Sequence, residues 1–228
     1  MFLFSCKYVP NSPVRETVDA IIKHHPNEKI VIVDSDSDDK SYYDFFSSYD
    51  NVEILDDCNK DRVPGAFYQV YKKYPDEPYY INIQDCVIMK ESIQSWIDSD
   101  AEFVSFMYFI EPFDDWNNKC LGNEFREFFP QVDYEIPQRG EDYEGCYGPL
   151  FIIKNSLVKK FEQKGFIKSL KSRSKTMDQV FERLWGIVAA QEGWSPSEFN
   201  IEGNFSEKHV SVRNGSNKFF EKRYLGRN

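Results

Sequence analysis

The chain has 228 residues and a mass of 27.0 kDa, with 41% hydrophobic and 29% charged residues, the composition of one globular domain with a full core. No apolar run approaches the ~18 residues that a membrane-spanning helix needs, and the opening Met1-Phe2-Leu3-Phe4 is too short for the core of a signal peptide. A net charge of -10 argues against a protein whose business is coating nucleic acid.

Phe2 to Ser5 is a short apolar run and a candidate first strand. Ser12-Pro13 reads as an N-cap followed by proline at the first helical position, and Val14, Val18, Ile21 and Ile22 recur at helical spacing up to His25-Pro26. Ile30 to Val33 is apolar on both faces, as a strand inside a parallel sheet should be, and runs directly into Asp34-Ser35-Asp36-Ser37-Asp38-Asp39. Val52 and Ile54 mark a third strand, a helix is expected over 64–74, and Tyr79 to Ile83 is a fourth strand ending at Gln84-Asp85-Cys86. This alternation predicts βαβ units: an α/β fold with a mostly parallel sheet flanked by helices.

The second half is less regular. A strand is expected over 102–109, long loops over 111–148, a strand over 150–153 and a helix over 156–164. The last helix has a capping box, Thr176-x-x-Gln179, and a buried stripe of Val180, Leu184, Ile187 and Val188; it ends at Gly193. No internal repeat or linker splits the chain. The expected organisation is a single domain over 1–207, its first half (1–100) binding a nucleotide and its second (101–207) the acceptor. A basic tail follows over 208–228, with a net charge of +5 against -15 for the residues before it. Five widely spaced cysteines without any C-x-x-C read as reduced thiols in a cytoplasmic compartment.

In an open α/β sheet, ligands bind beyond the carboxyl ends of the strands, which singles out three acidic sites. Asp34 to Asp39 follows a buried strand, where carboxylates can hold a nucleobase or ribose, or simply cap an acidic turn. Gln84-Asp85-Cys86 lies between two apolar runs, and a carboxylate there must be hydrogen-bonded or bind something. Asp178 stands in the first turn of the last helix, with Glu182 one turn further along the same face. The tail's Lys218, Lys222, Arg223 and Arg227 suit a flap over a diphosphate, or serve only as a solubilising tail. Among the aromatic residues, Trp185 is expected in the core, while Trp116 and Tyr147 are candidates to meet an acceptor sugar.

The segment Ile-Val-Ile-Val-Asp34-Ser-Asp36-Ser-Asp-Asp39 resembles the strand-to-loop motif of the GT-A fold glycosyltransferases. Tyr79 to Met89 is similar to the strand carrying that fold's Asp-x-Asp motif. Gly148-Pro-Leu-Phe-Ile-Ile, then Asp178, Arg183-Leu184 and Gly193-Trp194, resembles the later half of the inverting, family-two type. The compact, lysine-rich chain also resembles the sugar transferases of large DNA viruses, which implies a host cytoplasm. The resemblance implies transfer of a sugar from a nucleotide-sugar donor to a saccharide or glycan hydroxyl. Asp34, Asp36, Asp39, Asn59, Arg62, Asp85, Lys222 and Arg227 would then line the donor, and Asp178 or Glu182 would be the catalytic base. It further implies a divalent cation, Mn²⁺ or Mg²⁺, at Asp85; either Asp85 holds it, alone or with His209, or cationic side chains of the tail neutralise the diphosphate instead. The outer motif positions are Gln84 and Cys86 here, however, and an amide and a thiol are poor ligands for a hard cation. Two alternatives stay open: a relative that binds nucleotide sugars or glycans without turnover, and a nucleotidyltransferase. The loop after the first strand is not glycine-rich, which counts against the second.

Overall fold

A computed structural model describes residues 1–56, 59–113, 131–172, 174–204, 214–216 and 218–223. In chain order the elements are β1 (Phe2–Cys6), α1 (Val14–His24), β2 (Ile30–Asp34), α2 (Tyr42–Phe46), β3 (Val52–Leu55) and α3 (Arg62–Lys73). Then come β4 (Tyr79–Asn82), β5 (Val87–Met89), α4 (Gln94–Ile97), β6 (Phe103–Ser105), β7 (Tyr108–Pro112) and β8 (Asp142–Cys146). The chain continues through β9 (Phe151–Lys154), α5 (Asn155–Gln163), α6 (Lys175–Gln191), β10 (Asn214–Ser216) and β11 (Phe220–Arg223).

The central sheet has six strands in the order β3-β2-β1-β4-β9-β6. Its first four are mutually parallel, and β9 enters antiparallel between β4 and β6. The expected α/β architecture with a mostly parallel sheet is therefore present, and strands from both halves of the chain build it. Ile30 to Val33 are fully buried, which explains a strand apolar on both faces. No helix of the described residues is long and apolar enough to cross a membrane.

Several local expectations shift. The strand foreseen over 102–109 divides at Phe106-Met107 into β6, in the central sheet, and β7, which pairs with β8 in a separate ribbon. Alternation reads the same along both pieces, and only the partner strands separate them. β8 also supplies regular structure where the Gly-rich composition predicted loops. The last helix is capped by Ser174, whose Oγ accepts a hydrogen bond from the Met177 N–H at 3.1 Å, so the cap lies two residues before the expected Thr176. Ser174 is extended (φ -145°), whereas Thr176 is already inside the helix. At α1 the flanking residue is Pro13, and Ser12 Oγ accepts no capping hydrogen bond among the described residues.

Helix α6 is pressed against β8. A Cβ added at Gly186 would collide with the Glu144 carbonyl oxygen, so only glycine permits that approach. One position before it, Trp185 is 1% exposed and packs among Phe67, Phe151, Phe161 and Phe166, a core role as anticipated. Both contacts fix the middle of α6 against β8 and the central sheet.

Candidate active site at the carboxyl edge of the sheet

Three non-glycine residues among those described have φ in the left-handed region: Asn11 (68°), Asp36 (62°) and Arg62 (54°). Asn11 and Asp36 sit in the connections that follow β1 and β2, and Arg62 opens α3, the helix after β3. Such strain persists only where the surroundings over-determine it, and it gathers at functional edges.

After β2, the Asp34 carboxylate is fully buried and already engaged. Its Oδ1 accepts from the Ser37 N–H at 2.9 Å and its Oδ2 from the Tyr42 hydroxyl at 2.7 Å. Burial pushes this carboxyl up, but those two donors more than offset it and hold it below its ordinary value. Asp34 therefore shapes the loop, and a carboxylate that accepts two hydrogen bonds keeps lone pairs for further donors. Asp39 is exposed and accepts from the Ser41 N–H at 2.8 Å, again a turn role. Asp36 is exposed at the loop tip. Tyr8, not foreseen as a site residue, stacks on Tyr42 with centroids 4.9 Å apart, and its N–H donates to Ser37 Oγ at 2.8 Å. A lone tyrosine after a first strand has no periodic signal, so only the fold singles it out.

Asn59 and Arg62 link this loop to the far half of the chain. The buried Asn59 donates through Nδ2 to Ser35 Oγ at 3.1 Å and to the Arg62 carbonyl at 2.7 Å. Arg62 Nε lies 2.8 Å from Asp178 Oδ2, an ion pair across 116 positions of sequence. The other oxygen of Asp178 accepts from Ser172 Oγ at 2.7 Å. Asp178 thus stands at the same sheet edge as Asp34. Burial raises its carboxyl, and Ser172 and Arg62 lower it without cancelling the rise.

At the end of β4, the Gln84 amide donates to the Gly148 carbonyl at 2.9 Å, and the Cys86 thiol reaches Gln84 Oε1 at 3.8 Å. Gly148 has φ +66°, a backbone that favours glycine and brings the turn against Gln84. Asp85 is nearly buried, and its carbonyl accepts from Thr17 Oγ1 at 3.1 Å. Among the described residues no three His, Cys, Asp or Glu side chains cluster as a metal would require. The side chains flanking Asp85 are thus an amide tied to backbone and a thiol, which do not fit a hard divalent cation. Gly145 lies under the Phe109 ring, where a Cβ would collide.

The decisive cluster gathers on α6. Glu182 lies one turn after Asp178, partly buried, with no hydrogen bond or close ion pair among the described residues. Burial pushes its carboxyl up to about 7; Arg183 and Lys222 pull downward, and Asp178 and Glu111 upward. Arg183 is itself occupied by Glu111 at 2.7 Å. Lys222 arrives from the C-terminal strand: β11 pairs with β5, placing Lys222 opposite Val87. Its ammonium stands 5.0 Å from the centre of the Tyr147 ring. Tyr147, nearly buried, feels the charge of Glu182 in turn, and burial raises its hydroxyl pKa. Of the tail's other cations, Lys218 meets Glu91 at 3.7 Å and Arg223 meets Glu221 at 2.7 Å and Glu16, all at the exposed surface. Trp194 donates to Glu102 Oε2 at 3.3 Å and packs on Phe199. Trp116, His209 and Arg227 lie outside the described residues.

No protein-family model matches the chain. No curated protein sequence matches it either. Among solved structures it is similar to TarS of S. aureus, residues 1–349, in complex with UDP, at 12% identity and a TM-score of 0.47 over 79% of this chain and 53% of that one. The same TarS region in complex with UDP-GlcNAc gives 12% identity and a TM-score of 0.46 over 80% and 53%. The galactosyltransferase LgtC in complex with donor and acceptor sugar analogues gives 10% identity and a TM-score of 0.41 over 79% and 70%. The chain spans about half the length of the TarS structures.

Proposed function

We propose that this chain is a GT-A-like glycosyltransferase that moves a hexosyl or related sugar from a nucleotide-sugar donor to a hydroxyl of a saccharide or glycan, inverting the anomeric centre. The observation that supports it most directly is the pair of carboxylates on α6. Asp178 has both oxygens engaged, whereas Glu182 has neither engaged among the described residues and holds its proton up to about pH 7. A general base works best when its pKa lies near the working pH.

In this reading Glu182 takes the proton of the acceptor hydroxyl. The acceptor oxygen forms its bond to the anomeric carbon as the bond from that carbon to the diphosphate oxygen breaks. The electron pair leaves with the nucleoside diphosphate. Asp178, held by Arg62 and Ser172, positions the first turn of α6, so the base assigned to Asp178 by resemblance moves one turn on. The loops after β2 and β1 offer a polar tip at Asp36 and a stacked ring at Tyr8 to a nucleotide.

The test is a panel of UDP-, GDP- and TDP-sugars with simple saccharide acceptors, read as released nucleoside diphosphate. Glu182→Gln should lower turnover by about 10²–10⁴-fold, with donor binding retained. Wild-type turnover should climb through about pH 7 as the carboxyl ionises. Full activity in Glu182→Gln would sink the assignment, and donor binding without turnover in the wild type would favour a non-catalytic relative.

A further inference from the structure

Among the described cations of the tail, Lys222 is the one that is buried. Phe220 and Lys222 share a face of β11 at the period of a strand, and both are buried, Lys222 at 8% exposure. Phe220 packs on Phe106, and the Arg223 N–H donates to the Cys86 carbonyl at 2.9 Å. The backbone under Lys222 is therefore fixed, two positions in register from Asp85.

An ammonium so placed ought to be paired, because a buried charge without a counter-ion is costly. Among the described residues Lys222 has no hydrogen bond and no carboxylate within 4.0 Å. Its compensation is the face of Tyr147 and the more distant charge of Glu182. Glu182 is only partly buried, so the pair stands at the edge of the core. The arrangement is a cation held ready for an anion that the protein itself does not provide. It lies beside the triplet whose amide and thiol are poorly suited to a metal.

We propose that Lys222, in place of a divalent cation, supplies the positive charge that receives the donor's diphosphate. This rests on the nucleotide-sugar reading above. A point charge fixed in advance stabilises the leaving oxygen as negative charge builds on it, without reorganisation.

Calorimetry with UDP and with inorganic pyrophosphate, each in excess EDTA and in Mn²⁺, tests this on wild type, Lys222→Met and Lys222→Arg. Wild type should bind both probes in EDTA and gain little from Mn²⁺. Lys222→Met should weaken both by about tenfold or more, the size of a lost hydrogen bond to a charged group, while Lys222→Arg keeps most of the affinity. The ligand-free Lys222→Met protein should also melt at a higher temperature than wild type, since an uncompensated buried charge is gone. A lysine with only a structural role would lower the melting temperature instead. Binding of UDP that needs Mn²⁺ and ignores Lys222 would overturn this seat and leave the transferase reading standing. Pyrophosphate bound through Lys222, with no nucleotide or nucleotide sugar bound, would overturn the transferase reading and keep an anion seat. Failure of wild type to bind either probe would overturn this seat, and failure with GDP and TDP as well would overturn the transferase reading.

Discussion

Replacing Glu182 by Gln keeps the shape of the side chain and removes its charge. The carboxyl titrates at about 7 in the fold against an ordinary 4.5, chiefly because burial penalises its ionised form. Between those two pH values the folded chain binds more protons than the unfolded chain, so stability falls as pH rises through the window. At 1.36 kcal/mol per unit, the full cost of ionising Glu182 in place comes to about 3 kcal/mol. Gln has no such cost. The variant should match wild type near pH 4.5, gain steadily up to about pH 7, and hold a lead of about 3 kcal/mol above it. Urea denaturation of both proteins across that range reads the difference as a shift in midpoint at constant slope. A lead that does not change with pH, or a variant less stable than wild type in the alkaline arm, would refute the reasoning. The same substitution should lose transfer, so stability and activity should move in opposite directions at one residue.

Tyr42→Phe removes a donor from the buried Asp34 carboxylate, which should cost about 1–3 kcal/mol near neutral pH. That loss should shrink as acid protonates Asp34, whose folded pKa is depressed, and a loss that persists in acid would contradict it. Gly186→Ala pushes a methyl group into the Glu144 carbonyl and should destabilise by about 1–3 kcal/mol; a neutral melting curve would show that α6 has room to move. A double-mutant cycle of Arg62→Ala with Asp178→Asn should give a coupling of only about 0.5–1 kcal/mol in stability, since Arg62 is 49% exposed. Each single change should nevertheless lower turnover by loosening the first turn of α6, and unchanged turnover in both would separate that turn from catalysis.

The parallel half of the sheet was legible because Ile30 to Val33 could be buried on both faces only inside a parallel sheet, and because helical stripes separate the strands. The division of 102–109 was not legible, because β6 and β7 differ only in which strand they meet. The acidic positions at strand ends were visible as well, but not which of them were already engaged. That Asp34 already accepts from Tyr42 and Ser37 is visible only once the loop is folded.

Local composition alone determined the alternation of strands and helices, the acidic loop at 34–39, the weakened triplet at 84–86 and the basic end of the chain. These depend on neighbours within a turn or two, where period and polarity are enough. Tertiary structure alone decided that Arg62 meets Asp178 and that Lys222 turns inward beside Tyr147 while Lys218 and Arg223 face carboxylates outside. The physical reason is that a charge is paired or left open by what lies across from it in space, and the pairing of β11 with β5 brings together positions more than a hundred residues apart.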